Sequence, residues 1–135
     1  IGFAGVAPVK GSTLMKNTLV KNSAGKSVPV YRAGDIKVGS KDFSKTLNKD
    51  VIDPKLSQIP EGISVSTNRE AMQSLSNSKG YGGKVTPISS LPKGLEIVQS
   101  GRNLDHHVIR PNSKMPVNKF NTLIEKLINR INKIE

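Results

Sequence analysis

His106 and His107 are the only two histidines in 135 residues. They are adjacent, with Arg102, Asp105, Arg110 and Lys114 close by in sequence. Histidine titrates near neutrality, so it can take a proton in one step and return it in the next. A guanidinium or ammonium beside it can hold a phosphate and stabilise charge that develops during reaction. Together these are the parts of a metal-free RNA cleavage. A base removes the 2′-hydroxyl proton, an acid protonates the leaving 5′-oxygen, and a cation stabilises the phosphorane. The catalytic candidates are therefore His106, His107 and Arg32, with Ser66, Thr67, Arg102, Arg110 and Lys114 as substrate-binding candidates. DNA lacks the 2′-hydroxyl, so RNA is the matching substrate, and the scheme needs no cofactor.

Other chemistries fit less well. Cysteine is absent, which removes disulfides, thiolate zinc sites and a thiol nucleophile. Metal centres want three or four ligands at compatible spacing, and here the acidic residues are few and scattered. Residues 24–27 (AGKS) suggest a phosphate loop, but the first glycine of that motif would fall on Val20. No apolar run approaches the roughly 18 residues that span a bilayer. The net charge of +11 attracts polyanions, or an acidic protein partner.

The elements that must position these residues are short. Residues 1–10 read as a linker or packed arm, and Ser12 can cap a helix over residues 13–21. Residues 28–33 and 61–67 alternate as strands, the second with Ile63 and Val65 on one face and Ser64 and Ser66 on the other. Asn68 is placed to cap a helix over residues 69–75. Short strands follow at 84–88, 95–98 and 106–110, and alternation sends His106 and His107 to opposite faces, one buried and one exposed. Residues 35–59 read as polar surface structure. Pro116 suits the first turn of a helix over residues 117–134, whose apolar stripe is Phe120, Leu123, Ile124, Leu127, Ile131 and Ile134. The fold class is α+β: a small single domain with a short antiparallel sheet, an N-terminal helix and a long C-terminal helix.

The stretches Tyr31-Arg32-Ala33-Gly34, Gly62-Ile63-Ser64-Val65-Ser66-Thr67, Leu91-Pro92-Lys93-Gly94-Leu95 and His106-His107-Val108-Ile109-Arg110-Pro111 carry a resemblance. In this order, over residues 28–125, the chain resembles the C-terminal toxin domains of bacterial polymorphic toxins of the contact-dependent growth inhibition type. The resemblance implies a metal-independent endoribonuclease, a tRNase, with a compact fold of the barnase and colicin kind. It implies delivery as the C-terminal part of a larger secreted or cell-surface protein into a target bacterium's cytoplasm. It also implies an acidic cognate immunity protein, with a host activating factor as a further partner. Residues 1–25 would be a linker or entry-segment remnant with a short helix, and 26–135 the toxin domain, a nuclease.

Two alternatives stay open. Arg32, then Ser64, Ser66 and Thr67, then Glu96 occur in the order of an ADP-ribosyltransferase-like toxin using NAD, although Gly94 stands where a second Glu or Gln belongs. A non-catalytic nucleic-acid-binding module is the other, but with no Trp, three Phe and two Tyr it has few rings on which bases could stack.

Overall fold

The computed structural model describes residues 15–38 and 42–134. In chain order the elements are β1 (Met15–Asn17), β2 (Val20–Lys21), β3 (Ser27–Val28), β4 (Val30–Ala33), β5 (Leu47–Asn48), β6 (Val51–Ile52), β7 (Ile63–Ser66), α1 (Arg69–Ser78), β8 (Val85–Ile88), β9 (Ser90–Pro92), β10 (Leu95–Gln99), β11 (His106–Pro111), β12 (Met115–Pro116) and α2 (Val117–Ile134). The architecture is α+β, as the sequence indicates. Its centre is a five-stranded antiparallel sheet in the order β10-β11-β7-β4-β8. A three-stranded sheet, β12-β6-β5, and the two-stranded pairs β9-β1 and β2-β3 surround it.

One face of the central sheet is apolar because Val30, Ile63, Val65, Ile88 and Ile109 alternate onto it, each almost fully buried. The apolar stripe of α2 lies in the same cluster through Phe120, Leu123, Ile124 and Leu127. Phe120 meets Phe43 edge to face, with ring centroids 5.0 Å apart and planes at 84°, an arrangement that aromatic quadrupoles favour. Ser64 and His106 alternate to the other face and share a cavity there with Met72 and Leu75 of α1. That face is the one α1 covers. The Asn68 carboxamide caps α1 by accepting from Ala71 N at 3.0 Å, which satisfies one of the amides a helix start leaves without a partner.

Two expectations are corrected. The helix over residues 13–21 is not formed: residues 15–17 and 20–21 are strands, paired with β9 and β3, while residues 13 and 14 lie outside the described residues. The apolar spacing suited a helix, but distant strand partners decide the matter. The second helix of the fold is α1 instead. Residues 35–59 are also more than surface, since Ile36, Phe43, Thr46 and Ile52 are all buried. Glu61 ties this segment down. Its carboxylate accepts from Lys45 N, Thr46 N, Ser44 Oγ and Thr46 Oγ1 at 2.8–3.1 Å. Burial pushes the Glu61 pKa up, but these donors outweigh it and hold the carboxyl below its ordinary value.

Candidate active site

The site begins where two strands of the sheet separate. β4 and β7 share one registered pair, Tyr31 with Ser66. Past that pair, a side chain bonds across the gap: Arg32 Nη1 donates to Ser64 O at 2.8 Å, and Nε reaches Asp35 O at 3.4 Å. Two backbone carbonyls thus fix the guanidinium fork. A guanidinium has five N–H donors, so Arg32 keeps others for a ligand.

His106 faces the same gap. Its Nδ1 lies 2.9 Å from Ser100 O and its Nε2 lies 3.4 Å from Ser64 Oγ. A carbonyl only accepts, so Nδ1 carries a hydrogen, and in the neutral form of the ring the lone pair is on Nε2, towards the cleft. Arg32, Ser64 and His106 line a cavity of about 390 Å³ together with Met72, Leu75 and Tyr81. A second cavity of about 300 Å³ adjoins it, sharing Arg32, Ala33 and Tyr81 and adding Asp35, Asp42 and Lys84. Both volumes lie in the range of small-molecule sites. A further cavity of about 400 Å³ lies between residues 35–37 and the end of α2. It contains no Arg, His or Ser, whereas the cavities at the split between β4 and β7 bring Arg32, Ser64 and His106 together.

The other sequence candidates are placed differently. His107 is buried, with Nδ1 on Asp105 O at 3.1 Å; as alternation required, only one of the two histidines faces the cleft. Ser66 is buried, and its hydroxyl accepts from Asn68 N at 3.0 Å, at the start of α1. Thr67 donates its hydroxyl to the Asp105 carboxylate. Arg102 is exposed in the loop between β10 and β11. Arg110 is held by Glu96, Nε to Oε2 at 2.7 Å, and Lys114 is exposed beyond the opposite end of β11 from His106. The proposed pairing of Arg32 with Glu96 is therefore not assembled, because Glu96 lies on the edge strand β10 and lines neither cavity of the cleft. Among the described residues no group of three His, Asp or Glu could hold a metal ion, and no helix is long and apolar enough to cross a membrane. Sequence reasoning missed Tyr81 and the α1 residues Met72 and Leu75. The glycines at 80, 82 and 83 around Tyr81 were the available signal.

Asp105 fixes the loop that delivers His106. Its carboxylate accepts from Thr67 Oγ1 and from Ser23 N at 3.0 Å. The Thr67 hydroxyl first, then the Ser23 amide, hold its pKa below the ordinary aspartate value. A lowered folded-state pKa contributes stability that is complete above the unfolded value, about 3.9, and is lost as pH falls through the folded value. Asp105→Asn keeps an acceptor but removes the charge. The variant is expected to unfold at lower urea than the parent at pH 7, with the difference closing below about pH 3.9. A difference independent of pH would contradict this account of the loop.

A family model described as Tse2 ADP-ribosyltransferase toxin matches residues 17–135. No curated protein and no solved structure matches the chain. The match supports the expectation of a bacterial toxin domain and overturns the chemistry assigned to it. The endoribonuclease expectation, with its tRNA substrate and its growth-inhibition tRNase type, is wrong: this is a transferase family, not a hydrolase family. The error came from reading a histidine pair and eleven excess positive charges as an RNA site, when such a charge attracts any polyanion and does not name the bond that is broken.

Proposed function

The chain belongs to the Tse2 ADP-ribosyltransferase toxin family, and from that premise we propose that it transfers ADP-ribose from NAD to an acceptor in a target bacterium through the cleft between β4 and β7. The observation that carries this reading is the Arg32 guanidinium, fixed in the strand split and common to both adjoining cavities. A dinucleotide has two nucleotide halves joined by a pyrophosphate. Each cavity takes one half, and Arg32 between them takes the pyrophosphate through charge-assisted hydrogen bonds.

In the transfer, the bond between C1′ of the nicotinamide ribose and the ring nitrogen breaks, and its electron pair leaves with nicotinamide. The acceptor's lone pair forms the new bond to C1′, and the acceptor gives up a proton. His106 Nε2 is placed to receive that proton, with its orientation set by Ser100 O. The Ser64 hydroxyl, beside it, holds a ribose oxygen. Met72 and Leu75 keep water from the breaking bond. Delivery into the target cell and neutralisation by a cognate immunity protein belong to the same proposal. An acidic immunity protein would suit the +11 charge.

His106→Ala is expected to lower NAD turnover by about 10²–10⁴-fold, the usual contribution of a positioned general base. Glu96→Gln should stay within about twofold of the parent, since it leaves transition-state contacts untouched. Nicotinamide release from labelled NAD measures both. A large loss in Glu96→Gln with little in His106→Ala would move the site away from this cleft.

A further inference from the structure

The two cavities at Arg32 adjoin along a shared wall, and Tyr81 is part of that wall. Its side chain lines both and is 48% exposed. The ring lies on Gly34 so closely that a Cβ there would meet Tyr81 Cδ2 at 2.9 Å and Cγ at 3.1 Å. Gly34, at φ +81°, therefore provides a flat floor that no other residue type offers.

The backbone around Tyr81 is held by hydrogen bonds, whereas the ring is held by contact alone. Tyr81 N donates to Ser76 O at 2.9 Å, and Lys84 N donates to Tyr81 O at 3.3 Å. Gln73 Nε2 clamps Gly83 O at 2.6 Å. No hydrogen bond is made by the Tyr81 hydroxyl among the described residues. On either side Gly80 and Gly82 supply no side chain, and no described residue other than their chain neighbours lies within 4 Å of where their Cβ atoms would sit. A half-exposed ring on an anchored backbone, with no hydrogen bond at its hydroxyl, can turn about its side-chain torsions, a motion of picoseconds to nanoseconds at exposed positions.

We propose that the Tyr81 ring is a gate between the two cavities, closed on Gly34 in the state described here, that swings aside when a dinucleotide spans both. This rests on the reading of the cleft as the NAD site. While the gate is closed neither cavity is continuous with the other, so the apparent affinity for NAD is reduced by the fraction of molecules in which it is open.

The test uses the chain's small tyrosine content. There are two tyrosines and no tryptophan, and Tyr31 lines neither cavity. The Tyr31→Phe protein, labelled with 3-fluorotyrosine, therefore reports on Tyr81 through one fluorine resonance. NAD is titrated into it while nicotinamide release is followed in the same sample. The expected result is a resonance that moves with NAD occupancy. In a second variant, Gly80→Asn with Gly82→Asn, both chain neighbours of Tyr81 gain side chains that restrict its ring, and asparagine tolerates the positive φ at both sites. A tenfold smaller open fraction there raises KM about tenfold with kcat unchanged. A resonance that stays put at NAD concentrations where nicotinamide is released would overturn the gate, as would an unchanged KM in the folded double variant. Absence of any NAD turnover in the parent would instead remove the reading of the cleft, and the gate with it.

Discussion

Arg32→Ala is expected to lower NAD turnover by about 10²–10³-fold, the loss that follows removal of one preorganised charged donor from a reacting site. The effect should be large because Arg32 is the charged residue common to both cavities at the strand split. Its orientation is already fixed by Ser64 O and Asp35 O, so no ordering cost falls on substrate binding. Arg32→Lys restores the charge but not the planar fork. It should recover part of the activity and remain roughly tenfold or more below the parent, because a point charge cannot make paired contacts to a pyrophosphate. Stability should change little by comparison. The Ser64 carbonyl that loses its donor sits on an exposed residue, where water replaces the bond, a cost of about 1 kcal/mol. An unfolding curve measured beside the kinetics separates the two effects. An Arg32→Ala protein with parent-like turnover would contradict the role given to the split.

Phe120→Ala is expected to be the most destabilising substitution of the set, by about 3–5 kcal/mol. Phe120 is fully buried on α2 and meets Phe43, itself 2% exposed, edge to face. Removing the ring opens a cavity where α2 meets the segment that carries Phe43, and the aromatic contact is lost with it. Domains of this kind have about 5–15 kcal/mol in total, so the variant should unfold at much lower urea or fail to accumulate. A double-mutant cycle with Phe43→Leu should give a coupling of about 0.5–1.5 kcal/mol. A loss under about 1 kcal/mol would mean that α2 is not packed as described.

Several elements were legible because their signals are local. α2 occupies residues 117–134 as its three- and four-residue spacing indicated, and Asn68 caps α1 as its side chain allowed. The opposite facing of His106 and His107 follows from strand alternation alone. What could not be read depends on pairing between distant segments. β5 and β6 have two residues each, too short to show a period, and Phe43 reaches the core from a segment with no apolar rhythm. Residues 15–21 have helical spacing but find strand partners far along the chain.

The same physics limited the reading of the site. Arg32, Ser64 and Glu96 occur in a suggestive order, but sheet register places Glu96 against Arg110, where the two form an ion pair. Ser64 and Ser66 share a face by alternation, yet the hydroxyl of Ser66 is committed to the start of α1. The excess positive charge says that polyanions are attracted; it does not say which bond is broken. Composition pointed to RNA, and the family corrected it to ADP-ribose transfer.

The most direct test incubates the purified domain with NAD labelled separately in the nicotinamide and the adenosine halves, in a bacterial lysate. Arg32→Ala and His106→Ala proteins of matched fold are run alongside. The account predicts that the parent releases free nicotinamide and transfers the adenosine label to a macromolecule, and that both variants lose the two signals together. Intact NAD with the parent, or equal turnover in parent and variants, would contradict it.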